Sequence, residues 1–246
     1  MSTSSLIDSL RGLGLEDMAL ALDRQRTLPQ SAELSFDERL SILVQAEVAG
    51  RETRRRRRQI KQAKFRVHAD PERIEYLSGR NLDRAVIGEL LSPAWIQNHL
   101  NVVISGSTGT GKTWLSCALG MQAVQNGFSV NYHRLGPLLE ELQIAHGDGS
   151  IVRMRNALSK VPLLILDDFG ATMLSKKNMQ DLFDIIEGRG ERASTIIAGQ
   201  LHWSEWHDYI TVPHLADAIV DRLVNRAHKI DLRGESLRQA AVRQQT

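Results

Sequence analysis

A single cysteine, Cys117, stands among 246 residues, so the chain can form no internal disulfide and no CxxC zinc site. Long apolar runs are missing as well. None approaches the ~20 residues that cross a bilayer, and Met1 to Leu6 carry neither a basic leader nor an apolar signal region. A soluble, cytoplasmic protein is expected. His202 and His207 lie five residues apart, which does not bring two ligands to one helical face, and they read as ordinary histidines. Net charge is also scarce, at +2, but that value is an average over two unlike parts. Residues 51–66 hold nine arginines and lysines against Glu52, a local +8, which leaves −6 for the rest. With 42% apolar residues the chain is no disordered polymer, and its length suits one large domain or two small ones.

Periodicity divides what is present. Leu6, Leu10 and Leu13, then Leu15, Met18 and Leu22, predict two short amphipathic helices broken around Gly12 and Gly14. Ser35 followed by Glu38 reads as a capping box that opens another helix. Phe36, Leu40 and Leu43 form its expected apolar face, and the helix runs past Gly50 into the arginines. Residues 1–66 are therefore read as an all-helical N-terminal domain, and 67–100, with Pro71 and Pro93, as a connector. From Asn101 onward, apolar strands at 102–104, 130–132, 163–166, 195–197 and 229–232 alternate with helices. That grammar belongs to an α/β domain, residues 101–246, built on a five-stranded parallel sheet covered on both faces. Gln239 to Thr246 are polar and read as a frayed end.

Gly106-Ser107-Thr108-Gly109-Thr110-Gly111-Lys112-Thr113 fits the GxxxxGK[ST] phosphate-loop pattern, between a strand and a helix as the pattern requires. Glycines and a helix start turn successive N–H groups toward an anion. ATP is the expected cofactor, with Lys112 on the β- and γ-phosphates and the Thr113 hydroxyl on Mg2+. Cys117, just beyond, reads as an inert residue on a buried helix face. Leu163 to Leu166 deliver Asp167 and Asp168 to the carboxyl end of a strand, where open α/β sheets bind ligands. Asp167 is expected to hold magnesium, partly through water, and Asp168 to activate the attacking water. Gln200, after the fourth strand, is placed to orient that water. Arg222, on the helix before the last strand, has two readings that position alone does not separate. One is a finger reaching a neighbouring subunit's nucleotide; the other is a solvated helix arginine.

On a helix, Arg51, Arg54, Arg55 and Arg58 share a face, with Lys61 at its edge, while Arg56, Arg57 and Lys64 widen the charged surface. Five consecutive arginines lack the interleaved acids of a salt-bridged surface helix, which favours sequence-independent binding to phosphate backbone.

In order and spacing these residues resemble the IstB-like transposition helper ATPases. These are AAA+ proteins encoded beside the transposase in bacterial insertion sequences and related to DnaC-type helicase loaders. The likeness covers nearly the whole chain. It is carried by Leu34 to Leu40, by Gly109 to Leu115, by Leu138 to Leu142 and by Leu163 to Gly170. Ala216 to Val224 and Gly234-Glu235-Ser236-Leu237-Arg238 are its most specific parts. The resemblance implies an AAA+ P-loop NTPase with a C-terminal lid absent or minimal. It assigns Lys112 and Thr113 to Walker A, Asp167 and Asp168 to Walker B, Gln200 to the sensor and Arg222 to the finger. By analogy with AAA+ initiators, Arg153, Arg155 and Lys160 form a second DNA patch. Ala198-Gly199 departs from the family's Thr-Ser, and Thr211 to His214 from its Gly-Asp-Pro-Thr.

The function so implied is an ATPase that assembles on double-stranded DNA, self-associates into a higher oligomer and stimulates an IstA-type transposase. A nucleoid-associated place in the bacterial cytoplasm follows from it, as does the absence of a membrane partner. A DnaC-type helicase loader and a non-hydrolysing, ATP-locked DNA scaffold are the alternatives. A small-molecule kinase is disfavoured, because no acceptor-binding or arginine-rich lid segment follows the loop.

Overall fold

The computed structural model describes residues 3–77 and 79–237. It divides into one compact unit ending at Arg58 and another beginning at Gln59. Arg238 and the 239–246 tail, read above as a signature residue and a frayed end, lie outside the described residues.

The first unit contains α1 (Thr3–Gly12), α2 (Glu16–Thr27) and most of α3 (Phe36–Ala63). Ser35 and Glu38 form the expected capping box: the Glu38 amide donates to Ser35 Oγ at 3.3 Å and the Ser35 amide to Glu38 Oε2 at 2.8 Å. The apolar face of α3 differs from expectation. Only Leu43 of the three residues joins Ile7, Ala19 and Leu22 in the core, while Phe36 is 76% exposed and Leu40 exposed. Two short helices bury one turn of the longer one and leave the rest of its stripe uncovered.

At the start of α2, Leu15 has no side chain able to cap the free amides. Glu47 of α3 does this from a distance, its Oε2 accepting from the Asp17 and Met18 amides at 3.0 and 3.1 Å. Gly50 permits the approach, since a Cβ there would stand 1.9 Å from Asp17 Oδ2.

The second unit is built on β1 (Asn101–Gly106), β2 (Val130–Arg134), β3 (Leu163–Phe169), β4 (Ser194–Gly199) and β5 (Ala227–Leu232). All neighbouring strands are parallel, in the order β2-β3-β4-β1-β5. Alternate residues feed two cores, as the strand period of two requires. Val102, Ile104, Leu163, Ile165 and Ile196 face a cluster that includes Leu115, Cys117 and Leu119 of α6 (Lys112–Gln125). Val103, Leu164, Leu166 and Ile197 face the other cluster. That side is covered by α7 (Leu135–Asp148), α8 (Ile151–Lys160), α9 (Lys176–Arg189), α10 (Trp206–Tyr209) and α11 (Pro213–Val224).

The stretch expected as a connector is structural. It forms α4 (Arg84–Leu91) and α5 (Ala94–Gln97), and buries Ala69, Ile74, Ile87, Leu90, Trp95 and Ile96 in the first cluster. Asp83 caps α4 through a 2.7 Å bond from the Ala85 amide. Arg189, 1% exposed, clasps the other side of the fold. Its guanidinium donates to the Leu158 and Val161 carbonyls at 2.6 and 2.9 Å, to Thr195 Oγ1 at 2.9 Å, and to the Ser194 carbonyl.

Candidate functional site

The loop between β1 and α6 has the conformation its glycines predict. Gly109 and Gly111 take φ of +88° and +94°, where a side chain would strain the backbone. Lys112 Nζ donates to the Gly106 and Ser107 carbonyls at 2.7 and 2.8 Å. The Thr113 hydroxyl donates to Asp167 Oδ2 at 2.7 Å, so α6 and the end of β3 meet here.

Asp167 is buried at 1% exposure, and the Tyr132 hydroxyl of β2 donates to the same Oδ2 at 2.7 Å. Burial, with the carboxylate close by, pushes the Tyr132 phenol well above its ordinary pKa and keeps it a donor. Asp168 lies where the β3–β4 register shifts, with φ of +59°, a region that aspartate tolerates better than most residues. Its Oδ2 accepts from Arg134 Nε at 2.7 Å and from Arg66 at 3.1 Å.

A cavity of about 570 Å³ has Arg66, Lys112, Thr113, Arg134, Asp168 and Gln200 in its wall. Gln200 is exposed and also borders a smaller cavity beside Ser107 and Asp231. The preceding Gly199 has a steric reason: its Cβ would come within 2.2 Å of the Phe169 carbonyl oxygen. A side chain there would force β3 and β4 apart locally. Past β5 the described chain turns back over the loop. The Leu237 amide donates to the Gly109 carbonyl at 3.0 Å, and Arg80 donates to the Thr110 carbonyl.

Arg222 does not line the cavity of its own chain. Its guanidinium pairs with Glu187 of α9 at 2.5 Å, donates to the Ala218 carbonyl at 3.2 Å, and sits 5.7 Å above the Phe183 ring. Spacing along α11 offers it no acid, and the partner comes from the neighbouring helix instead.

The family described as IstB-like ATP binding protein matches residues 8–245. The chain belongs to this family. An insertion sequence ATP-binding protein of Sinorhizobium fredii, y4pL, is 44% identical over 232 residues, covering 94% of this chain and 95% of that one. In fold the IstB-like chain is similar to the replication initiator DnaA bound to AMPPCP and single-stranded DNA. The TM-score is 0.58 at 20% identity, over 74% of this chain and 55% of that one. It is also similar to the DnaC helicase loader, at TM-score 0.55 and 16% identity, over 67% of this chain and 97% of that one. The fold is that of an AAA+ P-loop protein, and the family is one of ATP binding. Among the described residues no helix is long and apolar enough to cross a membrane.

The basic residues of this IstB-like protein fall into separate roles. Arg51 pairs with Glu47 Oε1 at 2.8 Å, and Arg54 pairs with Glu47 at 3.4 Å and with Asp17. Both were expected on a DNA-facing surface; they are exposed, but each is paired, Arg54 reaching α2 through Asp17 and both holding the Glu47 carboxylate that caps that helix. Arg51 in turn holds the Glu47 carboxyl below its usual range. Arg55, Arg56, Arg57, Arg58, Lys61 and Lys64 are exposed. On α8, Arg155 is committed to Asp184 at 2.6 Å and to Asp181, because α9 brings two acids against it. Arg153 and Lys160 remain exposed.

Three residues of the site belong to no motif in the sequence. Arg134 and Tyr132 lie on β2, whose carboxyl end carries neither a glycine pattern nor an acid. Register alone signals Arg134, which pairs with Asp167 across the sheet. Arg66 is part of the basic run in sequence, although its side chain reaches Asp168.

Proposed function

We propose that this IstB-like protein hydrolyses ATP to control its assembly on double-stranded DNA, and that in this state it recruits and stimulates an IstA-type transposase. Hydrolysis is supported by one observation above the others: Lys112, Thr113, Asp168 and Gln200 line a single cavity at the carboxyl edge of the sheet, with Asp167 bonded to Thr113. Lys112 would leave the loop carbonyls for the β- and γ-phosphates. Asp168, once released, would accept the proton of the attacking water, and Gln200 would orient that water.

The Thr113 hydroxyl and the Asp167 carboxylate are hard oxygen donors already in contact, a set that fits Mg2+. Bound there, the ion would neutralise charge on the β- and γ-phosphates. Arg222 lies outside its own chain's cavity, which suits a finger offered to a neighbouring copy after Glu187 lets it go. The exposed Arg56, Arg57, Arg58, Lys61 and Lys64 supply a sequence-independent grip on phosphates. The family's association with insertion sequences supports the transposase partner, and with it a nucleoid-associated place in the bacterial cytoplasm.

Steady-state phosphate release, measured with and without duplex DNA, tests the reading. DNA is expected to accelerate release. No release in either condition overturns hydrolysis and leaves an ATP-locked scaffold. Preference for single strands in a binding competition would favour a helicase loader.

A further inference from the structure

Asp168 is over-neutralised. One oxygen of its carboxylate takes both the Arg134 bond at 2.7 Å and the Arg66 bond at 3.1 Å. Among the described residues the wall of this cavity carries Arg66, Lys112 and Arg134 against Asp168, with the buried Asp167 just behind it. Two guanidinium groups thus meet on one carboxylate oxygen beside the phosphate loop, and cations still outnumber acids there when Asp167 is included. Arginine is suited to such a place, since its planar fork matches phosphate oxygens as well as carboxylate oxygens. The pairs are also easily exchanged. Arg66, Arg134 and Asp168 are all at least one-third exposed, and ion pairs that reach solvent hold weakly.

We propose that Arg66 and Arg134 bind the terminal phosphate of a nucleoside triphosphate, and that Asp168 holds them in place until that phosphate displaces it. The same exchange would free the Asp168 carboxylate for the attacking water. Arrival of the third phosphate would then both fill the arginines and arm the acid, a distinction that a diphosphate cannot trigger. Arg66 follows the basic end of α3 directly, so the residue that senses the phosphate is continuous in sequence with the DNA-binding run. The proposal rests on the cavity being the ATP site and does not require hydrolysis.

The test is the ratio of affinities for AMPPCP and ADP, each with Mg2+, measured by displacement of a fluorescent ADP from the full chain. Arg66→Gln with Arg134→Gln is expected to lower that preference for the triphosphate analogue about tenfold. Arg134→Gln alone should lower it part of the way, and gives the same answer if the double variant misfolds. Asp168→Asn keeps the side chain's shape, and asparagine tolerates positive φ. It should raise the preference several-fold in the parent but leave it unchanged in the double variant. An unaltered ratio in the arginine variants would overturn the proposal. So would an equal effect of Asp168→Asn in both backgrounds, because the arginines would then merely anchor the acid. Because AMPPCP is not hydrolysed, a parent that releases no phosphate would sink the hydrolysis reading and leave this ratio fully interpretable.

Discussion

The hydroxyl of Thr113 donates to Asp167 Oδ2 across 2.7 Å, and a second donor, Tyr132, occupies the same oxygen. A helix start and two strands are thereby fastened at one point. Tyr132→Phe removes one donor without changing the ring. It is expected to lower stability by about 1 kcal/mol in urea unfolding, a typical value for one hydrogen bond. Asp167→Asn should instead weaken Mg2+-dependent ATP binding at least tenfold and leave the small Mg2+-free affinity as it is. Titration with and without EDTA separates the two effects.

Lys112→Ala should abolish ATP-driven assembly on duplex DNA while the chain stays folded. Its ammonium bonds to the Gly106 and Ser107 carbonyls of the loop, and neither bond ties α6 to a neighbouring helix. Light scattering with ATP reads the loss, and an unaltered assembly would remove the lysine from the nucleotide site.

Arg222→Ala should spare nucleotide binding and lower turnover by roughly 10³, as loss of a phosphoryl-transfer arginine finger does. Mixing it with an Asp167→Asn protein should restore part of the activity, since each copy supplies what the other lacks. Glu187→Gln provides the counterpart. By releasing the guanidinium it should not reduce turnover, and its effect on stability should stay within about 1 kcal/mol for so exposed a pair. Normal hydrolysis by Arg222→Ala would return this residue to ordinary helix packing.

The arginine run should split under mutation. Arg56, Arg57 and Arg58 changed together to alanine are expected to weaken duplex binding. The salt dependence of log affinity should also become shallower by about 0.9 for each phosphate that is no longer neutralised. Arg51→Ala with Arg54→Ala should act mainly on folding, lowering the melting temperature of the first unit by uncovering Glu47. If that pair changed the salt slope as much as the triple variant does, the division would be wrong.

Arg189→Met should be the most destabilising of these changes, by about 3 kcal/mol or more in urea unfolding. It leaves the Leu158, Val161 and Ser194 carbonyls buried without their donor.

The sheet is legible in the sequence because its strands are nearly uninterrupted apolar segments, and the phosphate loop because backbone geometry ties its glycines to fixed spacings. Asp167 and Gln200 follow from the rule that parallel strands present their carboxyl ends to ligands. Long-range partners are not legible. Glu47 lies four residues from Arg51, but its capping of Asp17 and Met18 depends on how α2 meets α3. Glu187 and Arg222 sit on different helices, as do Asp184 and Arg155, so no helical spacing can reveal either pair. Ile87, Leu90, Trp95 and Ile96 pass for connector because their two helices are too short to show a clear period. Phe36 and Leu40 err the other way, since an amphipathic stripe tells which face is apolar without telling what covers it.

The bond from the Leu237 amide to the Gly109 carbonyl makes a clock of one proton. Deuterium from the solvent can replace that proton only when the chain past β5 lets go of the loop. The exchange rate at this single amide therefore counts how often the loop is uncovered. A nucleotide that tightens the cover would slow the clock, and one that must prise it open would quicken it.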